Sequence, residues 1–247
     1  MSFAYPGTDH LVLDDVTLDL PAGTVVAVVG ENGAGKSTLV KLLCKMYEPT
    51  IGRVLVDDQP LAAMASDAWR AKVSGAFQDF YRFEFAARTS VGVGDLPAVD
   101  DDVAVRGAVG KAGANDVVAR LEAGLDTQLG PTWPDGVDVS FGQWQKLALA
   151  RGFMRPDPLL LVLDEPTAAL DAETEHELSS RYAEAARAGG NGGITILVSH
   201  RFSTVRMADL IVVLRGAKVV EVGTHEELMR AGGAYAELYS IQAAAYH

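Results

Sequence analysis

The sequence predicts an α/β protein. A strand–loop–helix unit sits on a buried sheet, an antiparallel β subdomain accompanies it, and a helical lobe is inserted near the middle of the chain. Three observations carry this. Val25-Val26-Ala27-Val28-Val29 and Leu159-Leu160-Leu161-Val162-Leu163 are short unbroken apolar runs, the pattern of strands covered on both faces. A glycine-rich loop and then a helical apolar repeat follow the first run directly. Between about residues 78 and 155 the texture turns to mixed helix and loop before strands return.

In chain order, Leu11, Leu13, Val16, Leu18 and Leu20 alternate with polar residues, which predicts half-buried antiparallel strands. Pro21-Ala22-Gly23 is a turn ahead of the Val25 strand. Leu39, Val40, Leu42, Leu43 and Met46 recur at helical spacing, predicting a helix over 36–46. Val54-Leu55-Val56 reads as a strand ended by Asp57-Asp58. After the inserted lobe come strands at Leu159–Leu163, Ile194–Val198 and Leu210–Leu214. The last pairs with Lys218–Val222 through Arg215-Gly216-Ala217 as a hairpin, and His225 begins a helix. The domain reading is therefore a core at 1–77 and 156–247, with the lobe at 78–155.

Composition narrows the class. The chain has 247 residues, 49% hydrophobic and 22% charged, which is globular usage and excludes disorder, collagen and disulfide scaffolds. Its 21 basic and 33 acidic residues give a net charge of −12, which repels phosphate backbones, so no nucleic acid partner is expected. Cys44 is the single cysteine, so no internal disulfide can form and a reducing compartment is expected. The longest apolar runs are far short of the roughly 18 residues that span a bilayer, and Met1–Tyr5 has no signal-peptide character.

Gly30-Glu31-Asn32-Gly33-Ala34-Gly35-Lys36-Ser37 fits the P-loop pattern, and the chemistry explains the spacing. Glycines let successive backbone N–H groups point inward around a β-phosphate, and the helix opening near Lys36 adds its positive dipole end. Lys36 is expected to reach the β- and γ-phosphates, Ser37 to ligate Mg²⁺ and Thr38 to touch the α-phosphate. Asp164 and Glu165 close the Leu159 strand. There Asp164 is placed to hold Mg²⁺, and Glu165 to polarise an attacking water.

With those residues in view, the chain resembles the nucleotide-binding domains of ABC transporters. Val139-Ser140-Phe141-Gly142-Gln143 through Arg151 looks like the family signature. Asp164-Glu165-Pro166-Thr167, Ala169-Leu170-Asp171 and Ser199-His200-Arg201 follow in family order, Gln78 matches the Q-loop, and Tyr5 stands where an adenine-stacking aromatic is expected. The resemblance covers essentially the whole chain. It implies an ABC ATPase architecture and a composite site: ATP·Mg²⁺ on the P-loop of one copy, capped by the signature of a second, identical or related. Ser140 and Gly142 would meet the γ-phosphate across that interface, Gln143 would support the turn, and Asp171 would help join the halves. Gln78 would sense Mg²⁺ and water, and His200 would hold the γ-phosphate and position Glu165.

Two features depart from the family. Phe141 replaces a small residue in the signature, where Leu-Ser-Gly-Gly-Gln is usual, and the chain starts mid-pattern, as a domain cut from a longer polypeptide or a misplaced start would. The tail from Gly223 to Gln242 is similar to exporter-type subunits, which implies a membrane domain fused N-terminally and a site of action on the cytoplasmic side of the membrane. A stand-alone ATPase subunit for an importer or separate permease is the alternative. A soluble member acting on DNA or ribosomes fits less well, since it needs a coiled-coil insertion or second cassette. Phe80, Tyr81, Phe83 and Phe85 fit either lobe core or a surface receiving a helix of the membrane domain.

Overall fold

A computed structural model describes residues 1–165, 192–199 and 201–245. Among them, six strands form the main sheet. These are β3 (Val25–Gly30), β6 (Val73–Ala76), β7 (Leu160–Asp164), β8 (Ile194–Val198), β9 (Leu210–Arg215) and β10 (Lys218–Gly223), in the order β10-β9-β3-β8-β7-β6. Every pairing is parallel except β9–β10, the expected hairpin. Sheet residues alternate between two apolar clusters. Val26, Val28, Val162, Ile196 and Val212 face helix α1 (Lys36–Leu43) with Phe3, Leu13 and Trp69. Ala27, Val29, Leu161, Leu163, Leu197 and Val213 face the opposite way, into a cluster with Trp144, Leu147, Leu228 and Tyr235. Coverage on both faces is why the strands read as unbroken apolar runs.

The antiparallel part consists of two separate ribbons, β1 (Phe3–Ala4) with β2 (Leu11–Leu13), and β4 (Leu55–Val56) with β5 (Gln59–Pro60). The alternation at Leu18 and Leu20 does mark half-buried side chains, but the backbone there enters no ladder. Side-chain alternation reports burial, whereas a strand also needs a paired neighbour.

Helix α1 ends at Leu43, short of the expected Met46. Lys45 is the reason. Its backbone turns left-handed (φ 54), and its buried ammonium donates to the carbonyls of Leu61 (2.9 Å), Ala62 (3.3 Å) and Met64. A lysine so held stops the helix, and Met46 faces solvent.

Helices α2 (Ser66–Arg70), α3 (Ala87–Gly92), α4 (Asp102–Lys111), α5 (Asn115–Arg120) and α6 (Phe141–Gly152) occupy the middle of the chain. Helices α3 and α4 pack on α6, and α6 also lies against β6. Near the end come α7 (Phe202–Val205), α8 (His225–Ala231) and α9 (Ala234–Ala245). Glu221 of β10 accepts from the backbone N–H groups of Ala234 (3.0 Å) and Tyr235 (2.8 Å), which fastens α9 to the sheet. Among the described residues, no helix is long and apolar enough to cross a membrane.

Candidate nucleotide site

The P-loop joins β3 to α1, as its residues require. Gly30 leaves the sheet so close to the Leu214 carbonyl oxygen that a Cβ would collide with it. Gly33, with φ +81, instead has nothing among the described residues within 4 Å of where its Cβ would be, which leaves the loop's outer turn open on that side. Glu31, Asn32 and Ser37 are exposed, whereas Ala34 and Thr38 are buried beneath them.

Lys36 is 9% exposed, and its ammonium donates to the carbonyls of Gly30 (2.8 Å) and Glu31 (3.0 Å). Burial lowers its pKa, while the negative charges of Glu165 and Asp164 pull it back up. Asp164, at the end of β7, is 7% exposed. Burial raises its pKa and Glu165 pushes the same way, as does Asp79 more weakly; a hydrogen bond from Ser37 and the charge of Lys36 oppose them. Three P-loop and strand-end groups therefore sit together: a buried ammonium, a serine hydroxyl and a buried carboxylate. Glu165 follows with a left-handed backbone (φ 48), and its N–H donates to the Val198 carbonyl at 2.9 Å. A non-glycine residue held there carries strain of order 1–3 kcal/mol and is characteristic of functional turns.

Gln78 and Asp79 are exposed just beyond β6. Because Ala76 pairs with Leu163 in the parallel β6–β7 ladder, both strands deliver their ends to one edge, and Asp79 comes within electrostatic range of Asp164. Tyr5 lies beside α1. Its hydroxyl is 3.1 Å from Thr38 Oγ1, and its ring meets Phe3 and Tyr47 edge-on at 5.0 and 5.3 Å. Lys41 Nζ lies over the Tyr5 ring, 5.8 Å from the centroid. His200 and Asp171 lie outside the described residues.

Ser140 is the N-cap of α6. Its hydroxyl accepts from the Gln143 N–H at 3.3 Å, and the Gln143 side chain accepts from the Ser140 N–H at 2.8 Å. This reciprocal box fixes the first turn and leaves the dipole end of a twelve-residue helix facing outward. Among the described residues, a Cβ on Gly142 would meet nothing within 4 Å, so no packing among them demands glycine there.

Three features escaped sequence reasoning. Asp79 lies within electrostatic range of Asp164; its adjacency to Gln78 after a strand was the available signal. Phe141 lies against Phe80, with centroids 5.4 Å apart, and Arg82 Cζ sits 5.4 Å over the Phe141 ring. Arg151, at the far end of α6, donates to the carbonyls of Ser90 (2.9 Å) and Tyr81 (3.2 Å) and lies 4.4 Å over the Phe83 ring. Burial brings the Arg151 pKa down to about 10. Of the four aromatics after Gln78, Phe80 packs on the core while Tyr81 is 72% exposed.

The residues present fit a nucleoside triphosphate with its metal. An open glycine turn leads into a helix N-terminus, and a lysine, a serine hydroxyl and a strand-end carboxylate converge there. Mg²⁺ needs only one or two protein oxygens when phosphates supply the rest.

The family model for ABC transporters matches residues 13–168. The chain belongs to the ABC transporter family. Members of this family are in general ATP-binding ATPases, and the α/β fold agrees. The cassette is 35% identical over 97% of its length to the nisin transport ATP-binding protein NisT of Lactococcus lactis, and 38% identical over 98% to an ATP-dependent lipid A-core flippase of Methylococcus capsulatus. It covers 39% of each of those proteins. A solved bacterial Atm1-family ABC exporter with ATP bound superposes with a TM-score of 0.87 at 35% identity, over 98% of this chain and 40% of the other. The similarity of this cassette is thus to exporter-type ATP-binding proteins, and it spans about two fifths of their length.

Proposed function

We propose that the cassette binds ATP with Mg²⁺, hydrolyses it, and by closing and reopening against a second cassette moves the membrane domain of an exporter. The observation that carries this is the convergence of Lys36, Ser37 and Asp164 at the P-loop. The likeness of the cassette to the ATP-binding part of exporter-type proteins, about two fifths of their length, sets the biological frame.

Lys36 exchanges the carbonyls of Gly30 and Glu31 for β- and γ-phosphate oxygens, gaining a charged partner for an ammonium that burial disfavours. Ser37 and Asp164, with Gln78, hold the Mg²⁺, which when bound neutralises charge on the phosphate oxygens. Tyr5 stacks on adenine, and Thr38 and the loop N–H groups of residues 31–36 line the phosphates. Glu165 accepts a proton from the water whose oxygen attacks the γ-phosphorus as ADP leaves. His200 orients that water and the γ-phosphate. Ser140, Gly142 and Gln143 of a second copy cap the same phosphate, and Asp171 helps hold the halves together. In the full-length protein the membrane domain precedes the cassette, with residues 78–155 as the lobe that contacts it.

The test is Lys36→Ala. Binding of a fluorescent ATP analogue should weaken by at least about 100-fold, and Mg²⁺-dependent phosphate release should vanish, as expected when a charged contact to phosphate is removed. Unchanged release would refute the assignment.

A further inference from the structure

We infer that Phe141 is a positioning residue that couples the segment following Gln78 to the first turn of α6, so that events at one nucleotide set the placement of Ser140 and Gly142 toward the other. The inference rests on the composite site proposed above and deepens it.

The argument begins with an exposed aromatic. Phe141 is 51% exposed at the first position of α6, where burial does not explain a phenylalanine. Its contacts do. Phe80 packs on the core and meets the Phe141 ring at 5.4 Å, and the Arg82 guanidinium lies over that same ring. Phe80 is only two residues past Gln78, and between them Asp79 lies within electrostatic range of Asp164. On the other side, Phe141 sits inside the Ser140–Gln143 capping box, so its backbone cannot shift without moving the Ser140 hydroxyl and the Gly142 N–H. The opposite end of α6 is tied to the same segment, through Arg151 on the Tyr81 carbonyl and the Phe83 ring. Residues 80–83 thus brace α6 at both ends, and Phe141 is the brace nearest the candidate phosphate-capping turn. A glycine here would remove the Phe80 and Arg82 contacts to that turn.

The experiment compares Phe141→Gly, Phe141→Tyr and Arg82→Gln with the unaltered chain. It reads the Kd of a fluorescent ATP analogue for the single copy, kcat and KM for ATP hydrolysis, and Tm. Phe141→Gly should leave the single-copy Kd within about twofold and lower kcat about tenfold, a loss in the range that misplacing a positioning group produces. Phe141→Tyr should restore kcat, and Arg82→Gln should fall between with unchanged Tm. Phe141→Gly hydrolysing at the unaltered rate, or a kcat loss that Phe141→Tyr does not rescue, overturns the coupling. An unaltered chain that neither binds nor hydrolyses ATP overturns the underlying reading, and the coupling with it.

Discussion

Asp164 and Lys36 show how a site is built against the preferences of its own side chains. Both are buried, and burial moves each pKa toward the neutral form. Replacing Asp164 with the neutral isostere Asn should abolish Mg²⁺-dependent hydrolysis while raising Tm in metal-free buffer, measured by phosphate release and thermal melting. The pH dependence has a definite sign. The native pKa of Asp164 is raised, so between the unfolded carboxylate value and that raised value the native state binds more protons. Asp164's contribution to stability therefore declines as pH rises through this window. Metal-dependent nucleotide binding requires the ionised form, so it should fail on acidification at a higher pH than an ordinary carboxylate would allow. Glu165→Gln removes one charge that raises the Asp164 pKa and should move that edge to lower pH, as read by titrating analogue binding. The P-loop residues were legible in the sequence because a phosphate cradle dictates glycine spacing locally. The closeness of Asp79 to Asp164 and of Phe141 to Phe80 was not, because residues far apart in sequence come together only through the sheet register and the α6–β6 packing.

Helix starts in this chain are written in residues that can be read directly. Ser140 with Gln143 opens α6, and Thr224 with Glu227 opens α8, each as a complete capping box. Removing either hydroxyl should cost about 1 kcal/mol, or about 2–4 °C of Tm for a chain of this size. Ser140→Ala should lose hydrolysis as well, whereas Thr224→Ala should not. Equal activity in the two variants would deny the α6 turn its phosphate-capping role. Helix ends and ribbons were less legible. Lys45 stops α1 through carbonyls supplied by residues 61–64, and the Leu18–Leu20 alternation lacks a pairing neighbour. Each depends on what the rest of the chain brings alongside, which periodicity does not record.

For the whole molecule, the sequence marked β3, β7, β8 and β9 as apolar runs, but it did not mark β6 and could not order the strands. The order β10-β9-β3-β8-β7-β6 is what brings the ends of β3, β7 and β6 to one edge, with Lys36, Asp164 and Gln78 at it. The signature turn is a different matter, because Ser140 and Gln143 bond each other and Gly142 opens to space. The proposed occupant of the space before this turn is a second cassette carrying ATP. Glu165→Gln should arrest hydrolysis and hold that pair closed. Its mass, measured by light scattering on a sizing column with and without Mg-ATP, should change from one copy to two when nucleotide is added. A mass that stays at one copy, with ATP binding verified by analogue fluorescence, contradicts the composite site between identical cassettes.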